Sequence, residues 1–254
     1  MKKIALLLAV LFTALTLPGC EQKVENSREI TVAAAADLIN AFTEAGKDFE
    51  KAGGCKVVFS FGSTGMLAEQ IANGAPFDVF AAANEIVISD LDKGGHIVSD
   101  TIKLYALGRI GVATLKNANI RAETITDLLQ PEIKKIAIAN PDHAPYGLAA
   151  KQALISAGAW NKLEPKLVFG KNISETLQFV TTGNADAGII ALSLNDSNTL
   201  NFHLIDAGLH KPLRQAMAVI KRTKNEEQAR KFVAFINSAE GKTIMSKYGF
   251  VAPE

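Results

Sequence analysis

The chain has 254 residues, of which 48% are hydrophobic and 21% are charged, and its formal net charge is +1. This composition is too apolar for a disordered chain, and a near-neutral charge without a Lys/Arg block argues against a nucleic-acid partner. Two cysteines cannot form a disulfide scaffold. No run of about 18 apolar residues follows the N-terminal region, which excludes a polytopic membrane protein. The length suits one large domain or two lobes of about 100 residues each.

The N-terminal residues have the pattern of an export signal. Two lysines precede an apolar stretch at 4–17, and Cys20 directly follows Gly19. The stretch is typical of a secretory signal and short for a membrane-spanning helix. Cys20 after Gly19 resembles a lipobox, whose cysteine is lipidated and becomes the mature N-terminus; the alternative is an ordinary cleaved signal. We predict a lipoprotein-type signal at 1–20, a polar tether at 21–28, and a membrane-anchored protein in the periplasm or at the cell surface.

Strands and helices alternate along the rest of the chain. Apolar or β-branched runs predict strands at 30–36, 56–61, 77–82, 110–115, 135–139, 167–169, 187–191 and 216–221. Helical spacing of apolar residues predicts helices at 38–49, 66–72, 85–93, 126–129, 148–157, 174–181, 226–238 and 239–247. This alternation predicts an α/β fold with mostly parallel sheets. A chain that crosses to a second lobe and then returns to the first would fit the pattern.

Four predicted strand-to-helix junctions carry small or hydroxyl residues and very little charge. They are Ala36-Asp37, Ser63-Thr64, Tyr146-Gly147 and Ile173-Ser174. In open α/β sheets, ligands bind beyond the carboxyl ends of the strands, where helix N-termini offer unpaired N–H groups and partial positive charge. With only Lys171 close to a junction, the pattern indicates an anion held by hydrogen bonds rather than by counter-charges. Any one of these residues taken singly is more commonly a plain helix cap.

Asp37 is the acidic residue among these junctions. A carboxylate that faces an anion at short range repels it. The favoured interpretation is that Asp37 caps its own helix and presents its main chain to the site. The alternative is that its carboxylate is itself a ligand, to a metal or to the metal of an oxyanion.

Other chemistries have little support in the sequence. The four histidines do not have metal-binding spacing, and the chain contains neither a nucleophile-elbow motif nor a P-loop. If Cys20 is acylated, Cys55 has no partner within the chain, and a lone cysteine is usually a small buried hydrophobe. We therefore predict that the protein is not an enzyme. If the protein were an enzyme, the alternative would be one that acts on phosphate or sulfate esters and uses Asp37, Asp142 and His143.

Motifs along almost all of residues 29–252 carry a family resemblance. They lie at 30–38, 61–65, 74–80, 140–147, 158–160 and 247–250. In this order they resemble the periplasmic molybdate-binding proteins of ABC transporters. The resemblance implies a two-lobed receptor that closes on molybdate or tungstate and passes it to a membrane permease. It also implies lobe 1 at 29–107 and 208–254, lobe 2 at 108–207, a ligand cleft between the lobes, and a monomer.

The resemblance also implies a ligand shell. Asp37 stands where the family has a serine that donates to the oxyanion, and Thr64, with Ser63 beside it, matches the hydroxyl donor of the second junction. Tyr146 and Ile173 match positions that donate a main-chain N–H group. No cofactor and no separate cation site are implied.

One donor of the family is missing. Ala191 stands where many members have a tyrosine, and Tyr146 could supply a phenol from the other direction. The alternative within the same class is a receptor for another oxyanion or an organic acid. An organic carboxylate would normally be met by an arginine, and the four junctions contain none.

Overall fold

The computed structural model describes residues 29–253. The predicted signal at 1–20, with its Cys20, and the predicted tether at 21–28 lie outside the described residues. Across the described part, none of the helices combines the length and the apolar character that crossing a membrane requires.

The described chain alternates between strands and helices, as its sequence predicts. The strands are β1 (Glu29–Ala35), β2 (Lys56–Gly62), β3 (Val79–Ala82), β4 (Lys103–Gly108), β5 (Ile110–Leu115), β6 (Ile136–Ala139), β7 (Leu167–Gly170), β8 (Ala187–Ala191), β9 (Leu200–Leu204) and β10 (Leu213–Val219). The helices are α1 (Ile39–Lys51), α2 (Thr64–Ala72), α3 (Glu85–Lys93), α4 (Pro145–Ser156), α5 (Trp160–Leu163), α6 (Ile173–Thr181), α7 (Glu226–Ile236) and α8 (Ala239–Lys247). Short 3-10 turns connect several of them, including one at Ala36–Leu38 and one at Leu192–Leu194.

The strands form two five-stranded sheets, ordered β2-β1-β3-β10-β4 and β7-β6-β8-β5-β9. In the first sheet β1 pairs in parallel with β2 and β3, while β10 is antiparallel to β3 and β4. In the second sheet β6 pairs in parallel with β7 and β8, while β5 is antiparallel to β8 and β9. Four strands of each sheet therefore share one direction. The expectation of an α/β fold with mostly parallel sheets is confirmed.

The reversed strand is β10 in the first sheet and β5 in the second. The chain enters each of these strands directly from the other sheet. β4 ends at Gly108 and β5 begins at Ile110, whereas β9 ends at Leu204 and β10 begins at Leu213. Two neighbouring connections therefore join the lobes, an arrangement that suits hinge motion. The lobe limits expected from the sequence lie at these connections, and we keep 29–107 with 208–254, and 108–207, as the proposed lobes.

Three elements are absent from the sequence prediction, namely β4, β9 and α5. Strands β4 and β9 are edge strands, and most side chains of β9 are only partly buried. Strand β9 also contains Asn201 and His203, which interrupt the apolar run that predicts a strand, whereas β4 has a short apolar run at 104–107 that the prediction leaves unassigned. Helix α5 has four residues, too few to show a helical period.

Two helices begin two or three residues earlier than their predicted starts. Helix α2 begins at Thr64 rather than at 66, and α4 begins at Pro145 rather than at 148. Proline suits the first position of a helix, because an N–H group at that position would have no acceptor within the helix and its loss therefore costs nothing. The junction residues therefore belong to the first helical turns and not to preceding loops.

An aromatic cluster attaches the C-terminal segment to the first lobe. The ring of Phe232, on α7, lies 5.9 Å from Phe42 and 5.4 Å from Phe49 on α1, and 6.1 Å from Phe59 on β2. Phe232 is fully buried. Aromatic pairs at these distances add to the stabilisation from burial, so the chain returns to lobe 1 through a large apolar contact.

We expect Phe232→Ala to lower the free energy of unfolding by about 3–5 kcal/mol, because it removes a buried ring and leaves a cavity. Denaturant titration followed by circular dichroism measures the change. Phe169→Ala is the matched control, since that ring is 48% exposed, and we expect it to cost about 0.5 kcal/mol or less. Equal effects of the two substitutions would contradict the placement of α7 on this core.

Candidate functional site

A small cavity lies where the four junctions meet, between residues of both lobes. All five residues predicted for the site line it: Asp37, Ser63, Thr64, Tyr146 and Ile173. Its volume is about 10 Å³, far below the roughly 300–1,000 Å³ of pockets for organic ligands. The cavity therefore matches a ligand of a few atoms. None of its lining residues is a lysine or an arginine.

Three helices begin at the cavity. Thr64, Tyr146 and Ile173 lie in the first turns of α2, α4 and α6. The first N–H groups of a helix have no acceptor within it, and the helix dipole adds partial positive charge at this end. The 3-10 turn at Ala36–Leu38 supplies the fourth junction. An anion in the cavity can accept hydrogen bonds from these groups without any cationic side chain.

The two hydroxyl residues at the start of α2 have different partners. Thr64 Oγ1 accepts a hydrogen bond from the Ala83 N–H at 3.0 Å, and its own proton has no acceptor among the described residues. The Ser63 hydroxyl instead donates to the main-chain oxygen of His143 at 2.5 Å, across the cleft. Thr64 therefore keeps a hydroxyl donor for a ligand, whereas the Ser63 hydroxyl connects the lobes.

Asp37 is not the helix cap that the sequence analysis favours. Neither the 3-10 turn at Ala36–Leu38 nor α1 has a side-chain cap. Asp37 Oδ2 accepts hydrogen bonds from Gln215 Nε2 at 2.7 Å and from Tyr146 Oη at 2.9 Å. Asp37 is only 1% exposed. The cap interpretation is therefore wrong, because the carboxyl group belongs to a buried network that reaches both lobes.

The buried network continues away from the cavity. Gln215 Nε2 also donates to Tyr146 Oη at 3.0 Å, and Tyr105 Oη donates to Gln215 Oε1 at 2.8 Å. Gly108 makes room for the phenol, since a Cβ atom there would lie 2.2 Å from Tyr146 Oη. Gln215 and Tyr105 are absent from the site predicted from the sequence. The available signal is that Gln215 directly precedes the buried, apolar residues 216–219 of β10, where an unpaired polar group is costly.

Burial controls the protonation of this network. Desolvation raises the pKa of Asp37 to about 6, although the hydrogen bonds from Gln215 and Tyr146 oppose the shift. Desolvation and the nearby Asp37 charge raise the pKa of both Tyr105 and Tyr146 well above the usual range. Asp37 Oδ1 is buried and has no hydrogen-bond partner among the described residues.

Hydrogen bonds between the lobes close the cavity. The Gly65 N–H donates to the His143 oxygen at 2.9 Å, and a Cβ atom at Gly65 would lie only 2.8 Å from that oxygen. Ser174 Oγ donates to the Ala36 oxygen at 3.1 Å, and Ser193 Oγ donates to the Asp37 oxygen at 2.8 Å. The structure is thus a closed form, in which residues from both lobes surround the cavity.

Two further sequence expectations can be located in the structure. The Tyr146 phenol donates its proton to Asp37, so it does not replace the donor that is missing at Ala191. Cys55 packs, partly buried, against the core. Between residues 29 and 253 there is no group of three or more His, Cys, Asp or Glu side chains arranged to hold a metal ion.

Comparison with known proteins places the chain in a family. The model of the bacterial extracellular solute-binding proteins matches residues 30–251. The chain belongs to this family. It is 34% identical over 229 residues to the molybdate-binding protein ModA of Azotobacter vinelandii, covering 87% of this chain and 89% of that one. It is 30% identical, over 99% of both chains, to YvgL of Bacillus subtilis, provisionally named an ABC transporter substrate-binding lipoprotein.

A solved structure supports the same placement. The periplasmic molybdate-binding protein of Azotobacter vinelandii superposes with a TM-score of 0.83 and 27% sequence identity, over 89% of this chain and 100% of that one. The two-lobed architecture of this solute-binding protein is therefore shared with that solved structure.

The raised pKa of Asp37 predicts a pH-dependent stability of the ligand-free protein. The folded state holds the Asp37 proton more tightly than the unfolded state, whose carboxyl has a pKa near 3.8. The contribution to stability is therefore complete below about pH 4 and is lost as the pH rises through about 6. Asp37→Asn keeps an acceptor for Gln215 and Tyr146 but cannot ionise. We expect it to be more stable than the parent by up to about 3 kcal/mol at pH 7.

Urea titrations of both proteins at pH 4, 5, 6 and 7 measure this difference. The gap should open with rising pH and be smallest at pH 4. A gap that is constant with pH would show that Asp37 does not titrate in this range.

Proposed function

We propose that this solute-binding protein captures molybdate or tungstate outside the cytoplasm and delivers it to an ABC transporter permease. The observation that carries the proposal is the cavity itself, which is lined by the first turns of three helices and by no cationic side chain. Such a site suits a small anion whose oxygen atoms all accept hydrogen bonds. The relatives with molybdate-binding names support this ligand.

The donors come from both lobes. In this proposal the hydroxyl of Thr64 and the main-chain N–H groups of Tyr146 and Ile173 donate to the oxygens of the anion. Thr64 lies on lobe 1, whereas Tyr146 and Ile173 lie on lobe 2. The anion can therefore complete its shell only when the lobes come together. Closure about the two connections between the sheets then excludes water and strengthens each hydrogen bond.

Size selects the anion. Donors on rigid helix ends stand at fixed separations, and a smaller anion such as sulfate cannot reach all of them. Each buried donor left without an acceptor costs about 1–3 kcal/mol. The same reasoning leaves molybdate and tungstate, which have the same shape and nearly the same size, as joint ligands.

Export and anchoring complete the proposal. A family of extracellular solute-binding proteins acts outside the cytoplasm. Lipidation at Cys20 would hold a monomeric receptor at the membrane surface, close to its permease. The lipobox-like Gly19-Cys20 pair and the lipoprotein name of the Bacillus subtilis relative support this anchor.

Calorimetric titration of residues 27–254 with molybdate, tungstate, sulfate and phosphate tests the ligand. We expect sub-micromolar Kd values for the two metalates and weak or absent sulfate binding. Thr64→Val should weaken molybdate binding by about 10- to 100-fold, because an oxygen of the anion loses its hydroxyl donor.

Thr64→Ser is the matched control, since it keeps the hydroxyl, and it should bind molybdate nearly as tightly as the parent. Equal affinity for sulfate and molybdate would contradict the proposed ligand. Unchanged binding in Thr64→Val would remove only Thr64 from the shell.

We expect Cys20→Ala, expressed as the full chain in a bacterial host, to move the protein from the membrane fraction to the soluble exported fraction. The anchor depends on acylation of the cysteine thiol, which alanine lacks. Fractionation followed by immunoblotting measures the change. Cys55→Ala is the control and should stay with the membranes. A Cys20→Ala protein that remains in the membrane fraction would contradict the lipid anchor.

A further inference from the structure

We propose that Asp37 shares a proton with the bound oxyanion, so that ligand binding takes up a proton and favours oxyanions basic enough to hold it. The inference rests on the proposed function and deepens it, because it assigns a role to a residue that ordinary anion chemistry would keep out of such a pocket. Its basis is the hydrogen bonding of the two carboxyl oxygens.

The two carboxyl oxygens of Asp37 are in different situations. Oδ2 accepts two hydrogen bonds, at 2.7 Å from Gln215 and at 2.9 Å from Tyr146. Oδ1 is buried and has no partner among the described residues, although Asp37 lines the cavity. The second Nε2 proton of Gln215 is used by Tyr146 Oη at 3.0 Å. The side chains of the network therefore have no donor left for Oδ1, and the cavity that Asp37 lines is where a ligand atom can be its partner.

Within residues 29–253, no cation forms an ion pair with the Asp37 carboxyl group. The side chains that face it are Gln215 on β10, Tyr146 on α4 and, one step further, Tyr105 on β4. Ser193, from the turn after β8, donates to the Asp37 main-chain oxygen. None of these groups carries charge near neutral pH. An ionised Asp37 would therefore repel a bound dianion in a site of low dielectric constant.

One proton removes the conflict. Placed on Oδ1, it donates to an oxygen of the anion, and the repulsion becomes a hydrogen bond. A protonated anion that donates to an ionised Oδ1 has the same composition, so both descriptions predict uptake of the same proton. The pKa of about 6 for the Asp37 carboxyl means that the proton is already partly held before the ligand arrives.

The shared proton contributes to selectivity. Sulfate is a much weaker base than molybdate, so it gains less from a proton held between it and Asp37. This effect adds to selection by size and acts at one oxygen of the anion.

Calorimetry of molybdate binding tests the proposal directly. Titrations at pH 8 in buffers of different ionisation enthalpy give the number of protons taken up, and we expect about one for the parent and none for Asp37→Asn. Between pH 7 and pH 9 the Kd of the parent should rise about tenfold per pH unit, whereas that of Asp37→Asn should stay level. His143, which contacts Ser63 across the cleft, is present in both proteins, so it cannot produce the difference.

Asp37→Ser, which carries a neutral hydroxyl donor, is the second variant and should also bind without proton uptake. Molybdate binding by the parent at pH 8 with no proton uptake would overturn the inference and leave the proposed function intact. Proton uptake that persists in both Asp37 variants would overturn it as well. Failure of the parent to bind either metalate at any pH from 6 to 9 would remove the proposed function, and this inference with it.

Discussion

The unpaired N–H groups at the start of three helices are the constraint on which the rest of the site depends. Such groups need acceptors, and in this protein they surround a closed space instead of bulk water. An anion satisfies them, and no lysine or arginine is required. Because α2 belongs to one lobe and α4 and α6 to the other, the donors can act together only after closure. In the proposed function, ligand recognition and domain closure are thus the same event.

The buried network around Asp37 connects this cavity to the hinge. Gln215 lies on β10, the strand by which the chain returns to the first lobe. Gly108 is the last residue of β4, just before the chain leaves the first lobe. Tyr146 spans the cleft to reach Asp37. A change in the protonation of Asp37 therefore alters a contact between the lobes as well as the charge of the pocket. Burying a carboxyl group without a cation costs stability, and sites of function are where such costs are commonly retained.

The sequence was most informative about elements whose side chains are buried on both sides. Strands such as β5 and β8 appear as continuous apolar runs, and their predicted and observed limits agree. Strand β9 lacks this signal, because it contains Asn201 and His203 and most of its side chains are partly exposed. The predicted starts of α2 and α4 lie later than the observed ones, since glycine and proline are typical of loops even when they occupy a first helical turn.

The sequence by itself determined the α/β alternation, the four junctions with little charge, and hence an anion as the expected ligand, because these follow from local residue patterns. It also indicated five of the residues that line the cavity. Only the tertiary structure decided what the side chains do. Aspartate is a residue type typical of helix caps. The carboxyl group of Asp37 instead accepts hydrogen bonds from Gln215, 178 residues away, and from Tyr146, 109 residues away. A hydrogen bond between residues so far apart in the chain depends on how the lobes pack, and no local pattern encodes it.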